Sequence, residues 1–412
     1  MNKYLLIRNA HILTPLGTTA RRGKEMSELL DIPCGVVEIA EGIITHVGTA
    51  PSGRLPKDAT ELDLKGKVLL PGFVDSHTHL VFGGYRADEF IWRMNGESYM
   101  SIMERGGGIA STVKATRAAS HEELKAKAEG YIDRMSRMGV TTVEAKSGYG
   151  LDRDTELKQL EVMQALATDP HRKVDISTTF LGAHAVPVEY KGREEAYVDF
   201  LIAEMLPLVR ERGLAEHCDV FCEKGVFTVE QSRRLLRAAQ DLGFGVKLHA
   251  DEIVCFGGAE LAGELRALSA DHLLQASDEG IEAMAQGGVV ATLLPLTAFT
   301  LREHFARGRE MIDRGCAVAL ATDLNPGSCH SGSIPLTFAL ATIYMHLSVP
   351  EAITALTLNG AAAIGRADRI GSIEVGKQGD LVVLDSDNPN VLPYYTGMNS
   401  VLHTIKCGHV LF

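Results

Sequence analysis

Apolar residues gather in eight short runs through the middle of the chain, and between them lie stretches with the spacing of amphipathic helices. The runs are VLLPGFVDSHTH, VTTVEAKSG, ISTTFLGAHAV, CDVFCEKG, FGVKLHADE, ALSADHLL, GVVATLLP and AVALATDLN; HEELKAKAEGYIDRMSRM, VEQSRRLLRAAQDLG and REHFARGREMIDRG are among the helical stretches. Continuous rather than alternating apolarity marks strands buried on both faces, as parallel strands with helical crossovers are. Eight such units predict an α/β fold, a (β/α)8 TIM barrel over residues 69–367. The ends differ. Residues 1–68, with YLLIRNAHIL and VVEIAEGIITHVG, and residues 368–412, with GDLVVLDSD and VLHTIKCGHVLF, read as short strands and turns with too little helix to cover a parallel sheet. Together they predict one small β-sandwich that the chain leaves to build the barrel and then rejoins.

A chain of 412 residues is long enough for both parts. Its formal net charge of −12 repels phosphate backbones and argues against nucleic acid as a partner. Arg8 and Asn9 break the N-terminal apolar run before a signal-peptide core can form, and no uncharged apolar stretch reaches the roughly 18 residues of a membrane span. The seven cysteines are scattered and never form a CxxC pair, so they read as reduced thiols. A soluble protein of the cytoplasm, with no membrane partner, is expected.

In such a barrel the chemistry sits where strands end and loops begin, and these strand ends are crowded with ionisable groups. His77 and His79 close the first strand, His184 the third, His249 with Asp251 and Glu252 the fifth, Asp271 and His272 the sixth, and Asp323 with Asn325 the eighth. Residues two apart in a strand share a face, so His77 and His79 point into the mouth together. Such a pair can hydrogen-bond in a polar interior or bind one divalent ion. With three further imidazoles and an aspartate converging, metal binding is the better account, and His249 and Asp323 are the best-placed further ligands. Three histidines and one aspartate leave a position for water, whose pKa a metal lowers to about 7, and this points to hydrolysis. The leaving nitrogen then needs a proton and the carbonyl needs polarising; His272 and Glu252 fit those roles, or else orient a ligand imidazole.

The HTH triplet, the later histidines, the aspartate before the last helices and the closing GKQGDLVVLD resemble the amidohydrolase superfamily, whose members join a metal-bearing barrel to a β-sandwich made by both chain ends. HTHLVFGGYRADEF, ERGGGIAST, TTVEAKSGYGL, FLGAHAVP, FCEKGVF, KLHADE and ATDLNPGS are similar in order and spacing to segments of the imidazolonepropionase family, over essentially the whole chain. That resemblance implies hydrolysis of the cyclic amide of 4-imidazolone-5-propanoate to N-formimidoyl-L-glutamate in histidine degradation. It implies one metal ion, Zn²⁺ or iron, on His77, His79, His249 and Asp323. It implies substrate contacts at Arg86, Tyr149, His184, Glu252, Asn325, Gly327 and Ser328, and a homodimer; catalytic work by His272, Glu252, Asp323 and His184 is read from the residues themselves.

A propanoate tail suits the fork of Arg86 and the hydroxyl of Tyr149, although Arg86 could pair with Asp88 or Glu89 instead. The NPGS turn offers Asn325, free backbone amides and a hydroxyl to the carboxylate that hydrolysis creates. Hydroxide on the metal is expected to attack the ring carbonyl, with His272 or Asp323 taking its proton, His272 or His184 helping to stabilise the oxyanion, and Glu252 holding the ring nitrogens. How His272, Glu252 and Asp323 divide this work stays open. As carbamates, Lys146 or Lys224, near the ends of strands two and four, could bridge a second metal. Gly106-Gly107-Gly108 lacks the GK[ST] ending of a phosphate loop, does not lead from a strand into a helix, and reads as a flexible loop near the mouth. Tyr85 is bulkier than the residue expected beside Arg86. Two other readings are an enzyme of dihydroorotase, hydantoinase or guanine-deaminase type and a metal-bearing scaffold without turnover. Arg86, Tyr149 and the NPGS turn speak against the first, and the absence of gaps in the constellation speaks against the second.

Overall fold

The computed structural model describes residues 4–54, 56–97, 101 and 105–412. Five strands come first: β1 (Tyr4–Thr14), β2 (Leu30–Ala40), β3 (Ile43–Gly48), β4 (Thr60–Asp63) and β5 (Val68–Pro71). Eight follow: β6 (Phe73–Asp75), β7 (Val140–Lys146), β8 (Asp175–Ala183), β9 (His217–Cys222), β10 (Gly245–Ala250), β11 (Ser269–His272), β12 (Val290–Leu293) and β13 (Ala317–Leu320). Then β14 (Leu381–Leu384), β15 (Val401–Lys406) and β16 (His409–Val410) close the chain.

The first five and last three strands form one sheet, in the order β16-β15-β14-β5-β1-β2-β3 with β4 also against β1. Alternation assigns its faces. Leu69, Leu381 and Val383 join Leu5, Ile7, Ile12 and Ile39 in a core of the sheet's own. Their neighbours Val68, Leu70, Val382 and Leu384 point the other way, into the core of the barrel. Both faces are therefore buried, and the two parts share a hydrophobic contact.

β6 to β13 pair in chain order and always in parallel. Between them the helices His121–Ser136 and Val229–Asp241 begin with capping boxes, Ser120 with Glu123 and Thr228 with Gln231, as the periodicity of those stretches predicts. The stretch REHFARGREMIDRG is not one helix. Arg302, left-handed at φ 61°, ends the helix Pro295–Leu301, and only Gly308–Asp313 is helical beyond it. Among the described residues no helix is long and apolar enough to cross a membrane.

VLLPGFVDSHTH, expected as one barrel strand, is divided at Gly72: VLLP pairs in the terminal sheet, and only Phe73–Asp75 continues as β6. That short strand leaves a seam between β6 and β13, which other bonds close. The Asp75 carboxylate accepts from Thr322 N at 2.9 Å and Thr322 Oγ1 at 2.6 Å. Beyond it, Asp323 N donates to His77 O at 3.0 Å and His79 N to Leu324 O at 2.9 Å. Closing the barrel thus seats the HxH segment directly beside Asp323.

Candidate metal centre and active site

His77, His79, His249, His272 and Asp323 are buried together where β6, β10, β11 and β13 end. Nε2 of His79 and Nε2 of His249 are 3.4 Å apart, and Asp323 Oδ1 lies 3.5 Å from His77 Nε2 and 3.6 Å from His79 Nε2. Donor atoms held about 2.0–2.1 Å from one tetrahedral ion stand about 3.3–3.4 Å from one another, which these three edges approach; His77, His79 and Asp323 form one compact triplet, and His249 meets it through His79. His77 Nε2 is buried without a hydrogen bond, as a ligand atom facing a metal position would be. His272 and His184 come close enough to complete other triplets, His77–His249–His272 and His79–His184–His249.

What lies behind each ring separates them. His77 Nδ1 meets Asp271 Oδ2 at 2.6 Å and His249 Nδ1 meets Asp219 Oδ2 at 3.1 Å, the carboxylate–imidazole pairing typical of metal-bound histidines. His184 Nδ1 instead takes Gly148 O at 3.0 Å, and its ring stacks on His79 with centroids 4.8 Å apart. Gly148, left-handed at φ 105°, permits this approach, because a Cβ there would stand 2.9 Å from that of His184. His272 Nδ1 faces Glu252 Oε1 at 3.5 Å. His272 and Asp323 themselves hold left-handed backbones, at φ 76° and 52°, of the kind that tends to mark working residues.

Burial sets the protonation states. It drives the His272 and His184 imidazoles down to about 3, and His79 well below the ordinary value, so all three stand neutral. Burial also lowers His77, but the Asp271 and Asp323 carboxylates more than offset this and lift it to about 9. Asp323 is opposed by burial, yet the His77 imidazole beside it brings it down to about 2. Glu252 goes the other way: burial, then the Asp323 and Glu223 charges, raise it to about 8, so it carries a proton at neutral pH.

Arg86, Gly327 and Ser328 meet in a separate cavity of about 410 Å³, at whose rim Tyr85 stands 73% exposed, clear of any tight packing. Arg86 Nε donates to Glu89 Oε2 at 2.7 Å, the loop pairing weighed above, while its Nη1 lies against Gly327, where a Cβ would come within 2.4 Å. Tyr149 stands beside the histidines. Its ring centroid is 5.5 Å from that of His79, and burial and Asp323 keep its hydroxyl protonated while Arg86 pulls the other way.

The amidohydrolase family model matches residues 68–411. The chain belongs to the amidohydrolase family. It is 74% identical to an imidazolonepropionase of Phocaeicola vulgatus over 100% of this chain and 99% of the relative. It is 68% identical to one of Bacteroides thetaiotaomicron, over 99% of each. Among solved structures, a 5-methylcytosine deaminase from Klebsiella pneumoniae liganded with phosphonocytosine has a TM-score of 0.75 at 18% identity, over 99% of this chain and 98% of that one, and shares the fold.

Some sequence expectations for this amidohydrolase need correcting. The amides of the NPGS turn are not free: Gly327 N and Ser328 N each donate to Asn325 Oδ1 at 2.8 Å. Asn325 Nδ2 is spent on Asp323 O and Ser328 Oγ, both at 2.8 Å, so its amide is committed to holding the turn. Asp251 does not face the mouth but caps the helix Gly258–Leu265, accepting from the backbone nitrogens of residues 256–259. Lys224 is exposed, and Lys146 is ion-paired with Asp219 at 2.6 Å, so neither offers an amine to bridge metals. The Gly106-Gly107-Gly108 run leads into the helix Ile109–Ala118, and Gly108 N donates to the same Glu89 carboxylate that holds Arg86. Glu104, which opens ERGGGIAST, lies outside the described residues.

Other supporting residues stand outside the predicted set. The loop carrying Tyr149 winds round Glu156, whose Oε1 accepts from Gly150 N at 2.8 Å and Leu151 N at 2.9 Å, and Thr297 Oγ1 donates to Asp323 Oδ2 at 2.6 Å. Glu144, Asp219 and Lys247 do leave a signal, being charged residues in the middle of apolar strands, where only a paired charge is tolerated.

Proposed function

We propose that the chain hydrolyses the cyclic amide of 4-imidazolone-5-propanoate to N-formimidoyl-L-glutamate in histidine degradation, with one metal ion on His77, His79, His249 and Asp323. The reading rests above all on 74% identity to an imidazolonepropionase along the whole chain, and is supported by a buried cluster of metal-ligand type and a separate cavity lined by Arg86. When bound, the ion supplies an acidified water and polarises the ring carbonyl.

The chain's own residues do the rest. Arg86, aligned by Glu89, takes the propanoate with its Nη edge, and the protonated Tyr149 hydroxyl lies between tail and ring. His272, neutral and aimed at the cluster, accepts a proton from the attacking water. The water oxygen bonds to the ring carbonyl carbon and the ring C–N bond breaks. Glu252, which holds a proton at neutral pH, hands it to the departing nitrogen. His184 is held in line by its Nδ1–H, which donates to Gly148 O, so its bare Nε2 is left to accept from a ring N–H of the substrate. The same reading takes the ion to be Zn²⁺ or iron, which suits three imidazoles and a carboxylate. It also takes the working form to be a homodimer in the cytoplasm, where seven thiols without a disulfide remain reduced.

The test follows loss of the ring's ultraviolet absorbance with freshly made 4-imidazolone-5-propanoate, alongside metal content per chain. Ring opening that stops on chelation and returns with about one metal per chain is expected. A metal-loaded protein that leaves this ring intact but turns over dihydroorotate, a hydantoin or guanine would overturn the reading.

A further inference from the structure

Beneath the candidate metal ligands lies a layer of charge with no solvent exposure: Glu144 and Lys146 on β7, Asp219 on β9, Lys247 on β10 and Asp271 on β11. Lys146 Nζ is at its centre, 2.6 Å from Asp219 Oδ2, 3.1 Å from Glu144 Oε1 and 3.4 Å from Asp271 Oδ2. Lys247 Nζ lies 3.3 Å from Glu144 Oε2. Asp219 and Asp271 are the carboxylates that hold Nδ1 of His249 and of His77, so a single ammonium touches the supports of two ligand imidazoles. Asp219 Oδ1 also receives the backbone nitrogen of His249 at 3.2 Å, which fixes where that ring starts.

We infer that the buried Lys146–Asp219 ion pair is a positioning unit for the metal-binding histidines, an inference that rests on the ligand assignment proposed above. Three carboxylates converge here and would repel one another without the ammonium between them. Held together, they present Asp219 and Asp271 as fixed acceptors, and the Nε2 atoms of His249 and His77 then face a common point.

Coulomb attraction and positioning predict opposite signs. Removing a buried cation near a metal position would tighten metal binding if charge alone mattered, and weaken it if orientation of the imidazoles matters more. Chelated wild-type protein and Lys146→Met are titrated with Co²⁺, reading the visible absorption bands, the dissociation constant by chelator competition, kcat and KM, with thermal unfolding of the apoproteins as the check on folding. The expected result is a Co²⁺ dissociation constant 10–100-fold weaker than wild type, altered bands, and a fall in kcat with KM little changed. Binding as tight as wild type or tighter, with unchanged bands, would overturn the inference. A wild-type protein that binds no Co²⁺ would instead overturn the ligand assignment. Should the single variant not fold, Lys146→Met/Asp219→Asn removes both charges and leaves neither buried alone. The same weakening is expected of it, and wild-type affinity would again overturn the inference.

Discussion

The two ends of the candidate site are built differently. At the metal end every imidazole sits on or beside a barrel strand, and those of His77 and His249 are backed by carboxylates that are themselves buried and paired. At the arginine end the groups sit on loops and are held by neighbours a few residues away, Arg86 by Glu89 and the Gly327–Ser328 turn by Asn325. A reacting centre needs placement to within about 0.5 Å, which strand ends with a second layer of support can give, whereas a tail that only has to be recognised tolerates loops. Substitutions should therefore divide between kcat at one end and KM at the other.

The sharpest break falls on the metal end. His77→Ala or Asp323→Asn should lower kcat/KM by about 10³-fold or more and abolish stoichiometric metal in the purified protein, measured by steady-state kinetics and elemental analysis. Full metal content with that loss of rate would mean that the residue acts on substrate and not as a ligand. At the other end, Arg86→Met should raise KM about 10–100-fold, the usual cost of leaving a bound carboxylate without its partner, with kcat changed only a few-fold. A fall in kcat at constant KM would separate Arg86 from the propanoate.

The same division explains what the sequence made legible. The barrel was readable because parallel strands show up as continuous apolar runs, and the strand-end residues His77, His79, His184, His249, His272 and Asp323 were readable because the barrel tells where its strands end. β5 and β6 were merged, because VLLP and FVD are equally apolar and only the terminal sheet, paired across more than 300 residues to β14, claims the first of them. Loops hid their bonding. Nothing local in NPGS shows that Asn325 would consume the turn's own amides, or in GYGL that Glu156 would gather Gly150 and Leu151. The buried layer under the histidines is hidden for another reason: Lys146 sits at a strand end and invites a catalytic role, while its partners Asp219 and Asp271 come from strands far away in sequence.

Proton binding sharpens the comparison at the metal end. In metal-free protein Glu252 titrates near 8 rather than 4.5 and His77 near 9 rather than 6.5. Each holds its proton more tightly folded than unfolded, so each contributes stability below its ordinary value and loses it as pH rises toward 8 and 9. His79, His184 and His272 are lowered, and their contribution is lost as pH falls below 6.5. Apoprotein stability should therefore decline from pH 6.5 to 8, seen as a falling Tm of chelated protein. The gain in Tm on adding Zn²⁺ should grow over the same interval, because the ion replaces the proton that His77 retains. A Tm rising from pH 6.5 to 8 in chelated protein would contradict these assignments.

The smallest effect tests how soft the arginine end is. A Cβ on Gly327 would meet Arg86 Nη1 at 2.4 Å and Cζ at 3.2 Å, and next Asn325 Oδ1 at 3.6 Å. The obstacle is the far end of a long side chain, so the protein can yield by moving the guanidinium and keep its backbone. Gly327→Ala should accordingly leave Tm within a degree or two and kcat unchanged, yet raise KM several-fold as the fork turns away from the tail, about 1 kcal/mol of binding. Glu89→Gln, which keeps a hydrogen-bond acceptor beside Nε but removes its charge, should produce a smaller shift of the same kind. If Gly327→Ala lowered kcat as strongly as KM, the arginine end would be part of the rigid reacting centre, and the division between strand-held chemistry and loop-held recognition would not apply to this barrel.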